Sequence, residues 1–107
     1  MVGKPLKKTK VPKDFQPILW SADVNDLDID KHKGYIIHQI FAYGRMKEIL
    51  WLFHTYSKET LKRVFSTVPY KDYFPARFHF VKNYLLGLTK LVLNERRYVR
   101  NTPRDLG

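Results

Sequence analysis

The sequence predicts an all-α protein, a small helical bundle of four to five helices preceded by a flexible basic N-terminal arm. Three observations point there. Apolar residues between 36 and 92 recur at the i, i+3, i+4 spacing of a helical face. Residues that start and stop helices flank those stretches, and nowhere does the strict alternation of a half-buried strand hold. At 107 residues the chain forms one domain with a single modest core, since a chain of this size buries roughly 65% of its unfolded surface.

Residues 1–13 carry five lysines, no acid, Pro5 and Pro12, and no periodicity, which describes a flexible basic arm. The helical domain spans 14–97 and a basic C-terminal tail spans 98–107. Phe15, Ile18, Leu19 and Trp20, with Pro17 among them, read as an irregular segment docked on the core. Trp20 is its expected anchor, because a buried indole contributes a large apolar area, and Leu27 is a second plug. The first helix opens at Asp28–Asp30 and runs to Tyr43, with Ile36, Ile37, Ile40 and Phe41 on one face. Gly44 stands where a left-handed C-terminal cap belongs.

The second helix covers 45–55, with Met46, Ile49, Leu50 and Phe53 on one face. Ser57 is the N-cap of a third, 58–68, which groups Leu61, Val64, Phe65 and Val68 and places Glu59 in its first turn, where negative charge is favoured. Pro69 ends that helix. The loop 70–74 leads through Pro75 into a long helical stretch reaching Arg97. Phe74, Phe78, Val81 and Leu85 form its stripe, continued by Leu88, Leu91 and Val92 past a bend at Gly87.

Charge is unevenly spread. The net charge is +10, yet Asp14, Asp23, Asp26, Asp28 and Asp30 fall in a stretch, 14–30, without Lys or Arg. The positive excess makes polyanions or an acidic protein face the default partners. The absence of cysteine removes disulfides, thiol nucleophiles and zinc–thiolate sites. No apolar run approaches the ~20 residues of a membrane span, and MVGKPLKKTKVPK lacks the apolar segment of a signal peptide. A cytoplasmic location without membrane contact is expected.

No catalytic or metal constellation emerges. A calcium loop starting at Asp26 would have Asp26, Asp28 and Asp30 in place, but its sixth position is Lys31 instead of glycine and its twelfth Ile37 instead of glutamate. The histidines His32, His38, His54 and His79 lack metal spacing, and His38 and His54 read as boundary or surface residues. There is no nucleophile elbow and no Gly-rich phosphate loop. A non-enzyme without cofactor or metal is expected. Asp28 or Asp30 opens the first helix, while Asp23 and Asp26 are left as an acidic contact patch for a basic partner.

The hairpin formed by 45–55 and 58–68 has the outline of a helix-turn-helix, which would present Lys58, Lys62 and Arg63 to DNA phosphates beside the arm lysines Lys7, Lys8 and Lys10. Its turn holds Tyr56–Ser57 where a glycine is usual. In the aromatic and basic mix of 70–79, Phe74 and Phe78 are assigned inward, leaving Tyr70, Tyr73 and Arg77 as candidates for a partner-binding surface.

The stretches LWSADVNDLDIDKHKGYIIHQIFAYG and WLFHTYSKETLKRVF resemble a family of small bacterial proteins classed as a domain of unknown function. The matching positions are Trp20, Asp23, Leu27, Asp28, Lys31, Tyr35, Ile36, Ile37, Tyr43, Gly44, Tyr56, Ser57 and Lys58. The resemblance covers about 15–65, with a fainter echo over 80–88, where Phe80–Val81 replaces the family's Phe-Trp. Genes for such proteins often adjoin nucleotidyltransferase-type toxin genes. The resemblance therefore implies a non-enzymatic antitoxin that binds and neutralises a cognate toxin, its basic ends covering the toxin's nucleotide or RNA site or binding operator DNA. The alternative is a DNA-binding transcriptional regulator using the helix-turn-helix-like pair. Oligomeric state is open.

Overall fold

Seven consecutive residues of one helix, 36–42, are buried, so that helix has neighbours on every side and is the axis of the protein. The structure, a computed structural model, describes residues 10–99. Four α-helices follow in order: α1 Lys33–Tyr43, α2 Met46–Thr55, α3 Lys58–Thr67 and α4 Pro75–His79, the last running into a π-helical turn, Phe80–Leu85. Short 3-10 turns occupy Lys13–Phe15, Val24–Asp26 and Glu95–Arg97. Helices α2, α3 and α4 all pack on α1. The fold is a small all-α bundle, and among the described residues the only strand-like pairing is an isolated parallel bridge between Tyr73 and Val99.

The core is aromatic at its centre. The ring of Phe65 lies 5.7 Å from Tyr73, 5.7 Å from Phe78 and 5.3 Å from Tyr98, and such pairs add about 0.5–1.5 kcal/mol each beyond their buried area. α3 forms as its sequence dictates: the Ser57 side chain accepts from the Thr60 N–H at 3.1 Å. α2 is opened by Glu48, whose carboxylate accepts from the Arg45 N–H at 2.7 Å and from the Arg45 guanidinium at 3.4 Å. Burial pushes the Glu48 carboxyl up, but these hydrogen bonds outweigh it and hold the group below its ordinary range.

Several expectations are corrected. Trp20 is 55% exposed, whereas Phe15 and Leu19 are buried. Gln16 organises the segment, with Nε2 donating to the Leu19 and Ala22 carbonyls and Oε1 accepting from the Val24 N–H. That turn aims Leu19 inward and leaves Trp20 against the edge of Tyr43. The expected arm, 1–13, already joins the core at Val11, which is 5% exposed; Lys7 and Lys8 lie outside the described residues. The expected tail also begins too early, since Tyr98 is buried and donates its hydroxyl to the Phe65 carbonyl at 2.7 Å.

Helix α1 begins at Lys33, not at the aspartates. Asp28 Oδ1 accepts from the N–H groups of Asp30 and Lys31, an Asx-type turn that competes with helix at this point. Met46, Leu50 and Val68 are exposed rather than inward. The long C-terminal helix does not form. After the π-helical turn the chain breaks at Gly87, which has φ +65°, and Leu91 and Val92 are exposed on the extended stretch that follows.

Gly44 is extended, φ −73° and ψ 158°, not left-handed. Its need for glycine is steric, because an added Cβ would meet the Ile40 carbonyl at 2.6 Å and the Ile40 side chain at 2.9 Å. Arg77 Nη1 donates to the carbonyls of Phe41 at 2.7 Å and Gly44 at 3.0 Å, so a cation closes the end of α1, where the helix dipole favours it. Gly44→Ala is expected to lower unfolding free energy in urea by about 1–3 kcal/mol through overpacking. A variant as stable as the parent would show that this corner relaxes freely.

Candidate functional site

The segment between the first 3-10 turn and α1 surrounds an open groove of about 410 Å³, lined by Ser21, Ala22, Asp23, Asp26, Leu27, His32 and Tyr35. Local hydrogen bonds set its walls. The Tyr35 hydroxyl accepts from the Ser21 N–H at 3.0 Å. Asp23 caps the turn Val24–Asp26 by accepting from the Asn25 N–H at 2.9 Å, and His32 Nδ1 accepts from the Asp28 N–H at 2.8 Å. Asp23 therefore has a structural task that its sequence position did not reveal. Asp23 and Asp26 are nonetheless exposed, and they place two carboxylates beside an apolar floor and a phenol ring. Such a groove suits a cationic side chain with an apolar stem.

A second feature is cationic. Lys58 and Arg63 are exposed and Lys62 is half-buried on α3, and none of them pairs with an acid among the described residues. Lys10 is exposed where the described chain begins. The other candidates turn inward. Tyr73, expected on the surface, is fully buried in the aromatic core, and Phe74, expected inward, is 52% exposed. Pro75 at the first position of α4 leaves Phe74 extended and outside the helix, so the stripe starts with Phe78. Arg77 is engaged on the end of α1, as described above. Tyr70 is half-buried, with its hydroxyl donating to Gln39 Oε1 at 2.6 Å; burial and the nearby Asp72 raise its pKa to about 12.

The residue most displaced from its expected place is His38. It is fully buried, stacked on Tyr70 with ring centres 5.1 Å apart, and its Nδ1 lies 2.8 Å from the Tyr73 hydroxyl. Its Nε2 makes no hydrogen bond. Burial lowers its pKa to about 4, against the opposing pull of the Val68 and Val64 carbonyls. Because the ring is neutral, one nitrogen carries a proton and the other accepts, and the Tyr73 hydroxyl serves Nδ1 in either tautomer. The sequence did carry a signal: His38 and Gln39 alone interrupt 36–42, too few polar residues to make a solvent face.

Among the described residues no group of three or more His, Cys, Asp or Glu side chains is placed to hold a metal ion, and no helix is long and apolar enough to cross a membrane. Residues 15–65 match the model of a family of unknown function, DUF6922. The matched stretch contains the groove, α1, α2 and most of α3, and stops before α4. No curated protein and no solved structure matches the chain.

The His38 ring is neutral in the fold, so the unfolded chain takes up its proton first. Stability present above pH 6.5 is expected to fall as pH drops toward 4, by about 3 kcal/mol in full. Urea unfolding across that range measures the loss. In His38→Gln the slope between pH 6.5 and 4 should flatten relative to the parent, and an unchanged slope would refute the assignment.

Proposed function

We propose that the chain is a non-enzymatic, antitoxin-like protein that binds and neutralises a cognate toxin, of the nucleotidyltransferase type implied by the family resemblance. The observation that carries this reading is the groove flanked by Asp23 and Asp26 on a domain of net charge +10. An acidic recess on a cationic body selects a basic partner side chain and disfavours other copies of itself by overall charge. The apolar wall of Leu27 and Tyr35 adds desolvation around the ion contact. In this reading the protein is bacterial and cytoplasmic, and its basic ends lie over the toxin's nucleotide or RNA site. Co-expression with the neighbouring gene product should give one co-eluting species and restore growth. In Asp23→Lys/Asp26→Lys the two proteins should separate. Separate elution of the parent pair with growth still arrested would overturn the proposal.

A second reading, a DNA-binding regulator, is supported by the cations Lys58, Lys62 and Arg63 on α3, which pair with no acid among the described residues. It requires binding to duplex operator DNA that falls steeply with salt and weakens in Lys62→Glu/Arg63→Glu. A mobility shift with the upstream DNA of its own gene separates the two readings, and no shift at low salt excludes this one.

A further inference from the structure

A second surface lies outside the groove and away from α3 in sequence. Phe80 and Tyr84 stand one turn apart on the π-helical segment, with ring centres 6.2 Å apart and planes inclined by 33°. Tyr84 is 81% exposed and Phe80 37%, so neither ring is spent on the core, whose residues in this segment are Val81 and Leu86. Single-turn π-helical segments are rare and cluster at functional sites.

One contact ties a basic turn to the segment that carries these rings. His79, the residue before Phe80, pairs through Nε2 with Glu95 Oε2 at 3.3 Å, which draws the turn Glu95–Arg97 against the start of the π-helical segment. The turn is well anchored: Asn94 caps it by accepting from the Arg96 N–H at 3.1 Å, and Tyr98 fixes its far end in the core. Arg96 and Arg97 are exposed and neither pairs with an acid among the described residues. Over 80–99 the only acid is Glu95, already used by His79, against four cations.

We propose that Phe80, Tyr84, Arg96 and Arg97 form a platform for single-stranded nucleic acid, in which bases stack on the two rings and the guanidinium groups hold phosphates. Ring faces open to solvent recognise bases that are free to unstack, which a duplex does not offer. The charge around them favours a polyanion over a protein face of mixed charge. The proposal does not depend on the toxin reading, because it uses none of the groove residues.

The test is fluorescence anisotropy of the full chain with a labelled oligouridine of about a dozen nucleotides, the span of one such site, and with a duplex of the same length. The oligouridine should bind more tightly than the duplex. Tyr84→Ala should weaken it by about 5- to 100-fold, while Tyr84→Trp should retain affinity. Arg96→Gln/Arg97→Gln should reduce the salt slope by about 1.4. Because Tyr84 is exposed, thermal melting by circular dichroism should be unchanged in Tyr84→Ala and separates lost binding from lost fold. Equal affinity of Tyr84→Ala and parent, duplex binding as tight as oligouridine binding, or loss confined to Lys62→Glu/Arg63→Glu would each overturn the platform.

Discussion

A neutral imidazole in an apolar interior needs uncharged partners for its ring nitrogens, and the Tyr73 hydroxyl, 2.8 Å away, is the partner of His38 Nδ1. An unpartnered buried polar group costs about 1–3 kcal/mol, so the Tyr73 hydroxyl has one low-energy position. Holding it there pins the loop between α3 and α4 onto α1. The Tyr73 N–H then meets the Tyr98 carbonyl at 2.9 Å, and Tyr98 carries the C-terminal segment into the core against Phe65. The turn Glu95–Arg97, which Tyr98 follows, is thus placed through Tyr73 and Tyr98 by a histidine of the same aromatic cluster, whose ring lies 6.3 Å from that of Tyr98.

The same economy governs the N-terminal half. Gln39 is buried beside His38 and uses both ends of its amide: Nε2 donates to the Ile18 carbonyl and Oε1 accepts from Tyr70. One side chain therefore ties the irregular segment before the groove to the loop after α3. Tyr56 adds a second tie, donating to the Ile29 carbonyl at 2.6 Å, and burial with the nearby Asp30 and Asp28 raises its pKa. Polar side chains on or beside α1 connect the segments that have too little regular structure to dock by helix packing alone. An apolar core of equal volume would fill the space without specifying which loop residue sits where.

Helices α1 to α3 were legible because they repeat an apolar spacing and carry their own signals, Ser57 above all. What was not legible has a common cause. Trp20 sits where no period operates, so side-chain size is the only guide, and Gln16 turns Leu19 inward in its place. Phe74 and Tyr73 sit just ahead of a helix that Pro75 starts later than the stripe implies, which leaves Phe74 outside. His38 was misplaced for the opposite reason, because a helix packed on every side hides its polar residues and amphipathic reasoning presumes a solvent face. The groove was half visible, since the acidic run named Asp23 and Asp26, but Tyr35 and Ser21 enter it only through a tertiary hydrogen bond.

The C-terminal region shows how a failed helix creates a surface. The stripe Phe78, Val81, Leu85, Leu88 would continue as one face if the chain stayed α-helical. The wider π-helical turn shifts the angular position of each later residue, and closure by the Leu88 N–H on the Lys82 carbonyl at 2.8 Å, with Gly87 at positive φ, ends it. Val81 and Leu86 reach the core, while Phe80 and Tyr84 are left outside. Exposing two rings carries a solubility penalty that a small domain ordinarily avoids. Here the excess of four cations over one acid in 80–99 offsets that penalty by repelling like-charged copies. Hydrophobic rings without those cations would favour self-association, whereas rings and cations together favour a ligand that brings both flat faces and negative charge.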